Sequence, residues 1–244
     1  MAFLARASSD RRLRPRTSAA AVVMRILLVL IALPIILVPV YSVVPPVSTL
    51  MLARWATGRP VERVWTPLDQ ISPALQRAVL VSEDARFCQH HGVDWGAIGG
   101  VLKAGGDSGP GRGASTIAML VAKNLFLWQG GAYLRKPLEI ALAHWIDLVW
   151  SKRRVMEVYL NIAEWGPEGQ FGVDAGARRA FGIVPDNLDW RTATLLVTAL
   201  PNPMLRQPGR PSDGMLRIAA ILRDRVAEYG ERASCVGEGG RLSL

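Results

Sequence analysis

The stretch Glu83-Asp84-Ala85-Arg86-Phe87-Cys88-Gln89-His90-His91-Gly92-Val93-Asp94 gathers three carboxylates and two histidines into one short segment, beside an aromatic residue and a glycine. Carboxylates and histidines crowded together are the raw material of acid–base chemistry. The plainer reading is a solvated helix end, with Asp94 capping the next helix. Upstream, Ser72-Pro73 is a helix start with proline at the first helical position. Leu75, Val79 and Leu80 then supply an apolar stripe.

Two further segments follow. Gly113-Ala114-Ser115-Thr116-Ile117 runs on to Lys123 and Asn124. A glycine loop that enters a helix through Ser-Thr offers free backbone N–H groups to an anion, and Lys123, about two turns on, lies on roughly the same face. The glycine and lysine spacing is not that of a P-loop, and an ordinary helix cap explains the Ser-Thr pair equally. The other segment is Arg135-Lys136-Pro137-Leu138-Glu139, in which Arg135 and Glu139 are spaced to pair along a helix surface.

The frame around these segments reads as helix. A long helix is expected from Leu134 to Leu160, and shorter ones at Ala175–Phe181, Thr192–Leu200 and Met215–Tyr229, with almost no alternating strand pattern. Asp107 to Gly113 reads as a glycine-rich loop. The 244 residues carry a net charge of +9, with six arginines and one acid before Ile26. Ile26 to Val44 then holds no charge and reaches about 28 Å as a helix, close to a bilayer's hydrocarbon thickness. A basic tail before such a run is a membrane topology signal, not a nucleic-acid surface, and it places the N-terminus in the cytoplasm. The long run and the poor cleavage site at Val43-Val44-Pro45-Pro46 favour a retained anchor over a signal peptide.

The expected organisation is a basic cytoplasmic tail (1–25), a transmembrane anchor (26–44), a linker with little regular structure (45–70), one domain (71–230) and a loose C-terminal tail (231–244). Cys88 and Cys235 read most plainly as free, partly buried thiols, with a single disulfide in an oxidising compartment as the alternative. Three histidines without a Cys/His cluster argue against structural zinc.

Taken in order, the three segments resemble the peptidoglycan glycosyltransferase family, glycosyltransferase family 51. The first matches its E-D-x-x-F-x-x-H-x-G-x-D pattern at Glu83, Asp84, Phe87, His90, Gly92 and Asp94. The second matches G-x-S-T-I and K-N at Gly113, Ser115, Thr116, Ile117, Lys123 and Asn124, and the third matches R-K-x-x-E at Arg135, Lys136 and Glu139. The likeness continues through Ser151-Lys152, Tyr159-Leu160-Asn161, Gly172 to Gly182 and Pro201-Asn202-Pro203. Met119 and Leu120 stand where the family usually has glutamine, Gly131 where its loop often has arginine, and Ala180 where it has tyrosine.

The resemblance implies a mainly α, lysozyme-like glycosyltransferase domain on one N-terminal transmembrane helix, held on the periplasmic side of a bacterial inner membrane. It implies polymerisation of lipid II, with Glu83 as base and Glu139 as the second catalytic carboxylate. Ser115, Thr116, Lys123, Asn124, Arg135 and Lys136 would bind substrate, and Asp84, His90 and Asp94 would support them. No organic cofactor is implied; a divalent ion, magnesium or manganese, is an expectation at Glu139. The implied partners are lipid II, the growing glycan, the membrane and other wall-synthesis proteins. Phe126-Leu127-Trp128 would dip into the membrane interface, or else pack in the core. Neither S-x-x-K nor K-T-G occurs, so one activity is expected. The alternatives are a non-catalytic lipid II-binding module and a lysozyme-like muramidase, the latter disfavoured because a glycan cutter has no diphosphate for Lys123, Arg135 and Lys136 to neutralise.

Overall fold

The N-terminal apolar run forms one helix, α1 (Ala19–Tyr41), in a computed structural model that describes residues 18–103 and 113–237. Its 23 residues carry a single charge, Arg25, and span about 34 Å. The helix starts earlier than Ile26 because Ala19 to Met24 are uncharged and helix-compatible, and it ends before Val44 because Pro45 and Pro46 disfavour helix in the residues ahead of them. It is the one helix among the described residues long and apolar enough to cross a membrane.

The chain divides into two compact units, Met1–Ile36 and Leu37–Leu244. Within the second, the last turn of α1 is held by side chains from further along the chain. Trp150 Nε1 donates to the Val38 carbonyl at 2.7 Å, and Arg154 donates to the carbonyls of Tyr41 and Val44. The Val38 carbonyl also accepts from the Ser42 amide, while the Tyr41 carbonyl is one of the helix-end acceptors that need a partner from elsewhere.

The expected linker contains a helix, α2 (Thr49–Ala56), capped by the Ser48 hydroxyl, and a 3-10 turn at Leu68–Gln70. All four of its prolines, Pro45, Pro46, Pro60 and Pro67, lie outside these elements, so proline content overstated the irregularity. α3 (Pro73–Glu83) begins where Ser72-Pro73 indicated, with the Ser72 hydroxyl accepting from the Ala74 amide. A 3-10 turn (Phe87–Gln89) and α4 (Trp95–Lys103) follow, then α5 (Ile117–Phe126) and α6 (Ala132–Val149). The order continues with α7 (Lys152–Ile162), α8 (Gly172–Phe181), α9 (Trp190–Val197), α10 (Asp213–Tyr229) and a closing 3-10 turn (Gly230–Val236). Among the described residues β-structure is limited to two isolated bridges, so the mainly α class holds.

The helix expected from Leu134 to Leu160 is two helices. α6 ends at Val149, and the Ser151 hydroxyl accepts from the Arg154 amide to cap α7. The apolar spacing runs through this break, so periodicity alone did not mark it. At the centre lies α5, nearly apolar all round, packed on α6 and α7, while α3 packs on α9 and α10. Leu75, Leu80, Ile117, Met119, Met156 and Leu160 are fully buried there. Each contributes about 1.5–3 kcal/mol by leaving water.

Cys88 and Cys235 form a disulfide, not two free thiols. Their separation of 147 residues gives the sequence no hint of proximity. Closing so long a loop stabilises the fold by about 4–5 kcal/mol in the chain-entropy account. The same link corrects the expected loose tail. Ala233 and Val236 are buried, and Arg153 donates to the Val236 carbonyl at 3.1 Å. Residues 1–17, 104–112 and 238–244, and with them nearly all of the expected Asp107–Gly113 loop, lie outside the described residues.

Candidate active site

Glu83 is the last residue of α3 and is half-buried, with the Ser82 hydroxyl donating to its Oε1 at 3.1 Å. Burial pushes its pKa above the ordinary carboxylate value, and neither Ser82 nor the positive charge of Lys123 cancels that push. A carboxylate so placed is a better proton acceptor than one in water. Tyr159, buried on α7, is raised well above its usual value by burial and then by the charge of Glu83.

Asp84 is buried and fully used. Its Oδ1 lies 2.9 Å from His90 Nε2, and its Oδ2 accepts from the Ile117 amide at 3.0 Å. It therefore ties the end of α3 to the start of α5, which fits a supporting role. His90 meets the Phe87 ring edge-on, and its carbonyl accepts from Lys152 Nζ at 2.7 Å. Lys152 also pairs with Asp147 at 2.7 Å and sits over the Phe87 ring. Asp94 caps α4 through the Ala97 amide and pairs with Arg86. Against the upward push of burial, these hydrogen bonds hold it below the ordinary carboxylate value. The plain helix-cap reading thus holds for Asp94. Gly92 has φ +74°, and a Cβ there would lie 2.5 Å from the Ala143 carbonyl, so glycine lets this turn press onto α6.

The second segment divides in two. Thr116 is buried; its hydroxyl donates to the Gly92 carbonyl at 2.5 Å and accepts from the Met119 amide, capping α5. Thr116 was expected to bind substrate, but its hydroxyl is committed within the protein. Ser115 remains partly exposed and accepts from Lys136 Nζ at 2.7 Å. Lys123 is half-buried, and its ammonium has no hydrogen-bond or ion-pair partner among the described residues. Burial first, then Arg135 and Lys136, lower its pKa, while Glu139 and Glu83 pull it back. Asn124 is half-buried, and its carbonyl accepts from Thr49.

Glu139, 4% exposed on α6, accepts from Arg135 Nε at 2.5 Å and from Lys136 Nζ at 3.2 Å. The spacing of Arg135 and Glu139 foretold the pair, but it lies inside the protein instead of on a solvated face. Arg135 Nη1 donates further to the carbonyls of Trp128 and Gly130. Much of its fork therefore holds the loop before α6.

Glu83, Lys123, Glu139, Arg135 and Lys136 thus interact as one charged cluster drawn from α3, α5 and α6, with Ser115 joined to it through Lys136. Asp84, His90 and Thr116 brace it, while among the described residues Asp94 bonds to Arg86 and Ala97, and Asn124 to Thr49, without a hydrogen bond to the cluster. A resident metal does not fit here. Both Glu139 oxygens already accept from cations, and no group of three or more metal-ligating side chains occurs among the described residues. A hollow of about 310 Å³ beside α10, lined by Arg206, Arg210, Met215 and Ile218, contains no carboxylate to act as a base.

The four departures from the family pattern have local explanations. Met119 is fully buried in the core, and Leu120 and Ala180 pack against it. Gly131 has φ +60° at the start of α6, a backbone that an arginine would strain. Its role is in the turn, so it is no simple loss of a phosphate contact. The Phe126-Leu127-Trp128 expectation is also redrawn. Phe126 stacks on Tyr41 and Leu127 is buried, leaving an exposed apolar set of Trp128, Tyr133, Leu134 and Leu138. Sequence reasoning gave no role to Lys152 or Tyr159; both lie within recognised segments, but nothing in their spacing ties them to His90 or Glu83.

A family model described as transglycosylase matches residues 50–226. The chain belongs to the transglycosylase family and is an enzyme of that class. It is 50% identical over 217 residues to a biosynthetic peptidoglycan transglycosylase of Rhodopseudomonas palustris (strain TIE-1), covering 88% of this chain and 92% of that one. A protein of the same name from Brucella suis biovar 1 is 50% identical over 218 residues, covering 88% and 97%. One from Agrobacterium fabrum is 47% identical over 223 residues, covering 91% and 98%.

Proposed function

We propose that this transglycosylase polymerises lipid II into β-1,4-linked glycan, releasing undecaprenyl diphosphate. The observation that carries the reading is the half-buried Glu83 beside the unpaired Lys123. An alcohol is a poor nucleophile at neutral pH, so a base must take its proton as it attacks. Glu83 accepts the proton of the acceptor sugar's 4-hydroxyl. The hydroxyl oxygen bonds to C1 of the donor as the bond from C1 to the diphosphate oxygen breaks. Attack from the opposite side inverts C1, and no covalent enzyme intermediate forms.

The departing diphosphate needs charge neutralisation more than a proton. Lys123 is free to provide it, and Lys136 can turn to it from Ser115. Arg135 holds the loop and the Glu139 carboxylate, and Glu139 in turn keeps Arg135 and Lys136 in place.

The same proposal places α1 in the inner membrane as a single-pass anchor, with the arginine-rich tail in the cytoplasm and the catalytic unit in the periplasm. Two observations support it: the charge asymmetry about the apolar run and the Cys88–Cys235 disulfide, a bond that persists in oxidising compartments. The exposed Trp128, Tyr133, Leu134 and Leu138 suit a membrane interface. Other wall-synthesis proteins are proposed as partners on the family resemblance alone. Labelled lipid II supplied to the purified protein tests the reaction. Glycan that lysozyme degrades supports it; soluble muropeptides cut from sacculi, without polymer, would establish a muramidase.

A further inference from the structure

We propose that the Cys88–Cys235 disulfide is a positioning device for glycosyl transfer, acting through the segment it pins between Asp84 and His90. The proposal rests on the lipid II reading for its effect on rate, though not for its effect on structure.

Cys88 lies in the 3-10 turn Phe87–Gln89. The turn lies within the segment from Asp84 to His90, whose side chains meet at 2.9 Å. Asp84 is bonded through its peptide to Glu83 and through its carboxylate to the Ile117 amide, the first residue of α5. The same helix carries Lys123. The placement of the Asp84–His90 segment therefore sets how the base at the end of α3 stands against the cation on α5.

The turn's own hydrogen bonds are local: the Phe87 amide to the Asp84 carbonyl and the Gln89 amide to the Arg86 carbonyl. Beyond these, the buried Phe87 ring packs in the core beneath Lys152, and the Asp84 carboxylate holds the Ile117 amide. Lys152 donates to the His90 carbonyl. Tyr229, at the end of α10, donates its hydroxyl to the Ala85 carbonyl at 2.8 Å. The disulfide adds a covalent tie from the closing turn Gly230–Val236. The Tyr229 bond and the disulfide both come from the C-terminal part of the chain. α10 packs on α3 and α9 through buried residues that include Val226 and Tyr229, and the closing turn is held by the buried Ala233 and Val236 and by Arg153. The disulfide is the covalent tie between that closing turn and the Phe87–Gln89 turn. Cys88 and Cys235 would thus act on the reaction through Asp84, and touch no substrate themselves.

The test compares full-length enzyme in detergent, oxidised and after dithiothreitol has reduced the bond to two thiols while closing into its own cyclic disulfide. A Cys235→Ala variant accompanies them, and thiol titration verifies the reduction. Two readouts are taken well below each protein's Tm. Hydrogen exchange in peptides covering 84–91 and 115–119 reads positioning without needing activity. Lipid II polymerisation reads kcat and KM.

Reduction should speed exchange in both segments and lower kcat about tenfold, as small misplacements of catalytic groups do. KM should stay within about twofold, since substrate-binding groups remain. Reoxidation should restore wild type and leave Cys235→Ala unchanged. A fall in Tm alone, with either exchange in these segments or kcat unmoved, would overturn the proposal. If oxidised enzyme makes no glycan, the lipid II reading fails, and the exchange result still decides whether the brace exists.

Discussion

Asp84 stands 2.9 Å from His90 Nε2 and accepts a hydrogen bond from the Ile117 amide on its other carboxylate oxygen. One buried side chain thus joins the end of α3, the turn after it and the start of α5. Asp84→Ala leaves two buried polar groups without partners and should cost about 1–3 kcal/mol in denaturant unfolding. Asp84→Asn keeps one acceptor and should lose less. Equal losses for the two variants would show that this junction is not held by hydrogen bonds.

Glu83 links activity to stability with opposite signs. Its folded pKa lies above the ordinary 4.5, so its stabilising share is complete below that value and is lost as pH rises through the folded pKa. Glu83→Gln removes that penalty. At about pH 7.5 its Tm should equal or exceed that of wild type, and the gain should vanish near about pH 4. A variant less stable than wild type at neutral pH would contradict the assigned burial.

The pH–rate profile should be bell-shaped, because Glu83 must be unprotonated and Lys123 protonated. The acid limb should fall above 4.5 and the alkaline limb below 10.5, following the two shifts. Lys123→Met should lower kcat/KM by about 10–100-fold, the value of a charge-assisted hydrogen bond to phosphate. It should also remove the alkaline limb while leaving the acid one. An unchanged alkaline limb would assign that ionisation elsewhere.

Gly131→Arg tests whether this loop lacks a phosphate contact. At φ +60° the substitution should destabilise the protein by about 1–2 kcal/mol without raising turnover. Faster turnover would show instead that a missing arginine limits the enzyme.

The sequence was most legible where chemistry and spacing coincide. The Ser72-Pro73 start, the Arg135–Glu139 pair and the N-terminal apolar helix were readable because caps, i,i+4 contacts and apolar runs are local. The break at Trp150-Ser151 was hidden because apolar residues continue across it at helical spacing. The Cys88–Cys235 bond was readable only as the lesser alternative to free thiols and the Tyr229–Ala85 contact not at all, since both join positions far apart in the chain. Within the site, sequence named the charged residues but not their division of labour. Thr116 and Arg135 carry groups suited to binding phosphate, yet burial and neighbouring carbonyls commit Thr116 and much of Arg135 to the fold.

The most direct test of the account is glycan synthesis from labelled lipid II by wild type and Glu83→Gln in parallel, with lipid II binding measured on both. Glu83→Gln preserves the shape of the side chain and removes the base. The account predicts lysozyme-sensitive polymer from wild type, none from the variant, and equal binding by the two. Polymer from Glu83→Gln at a rate near that of wild type would contradict it, and would move the base to another residue.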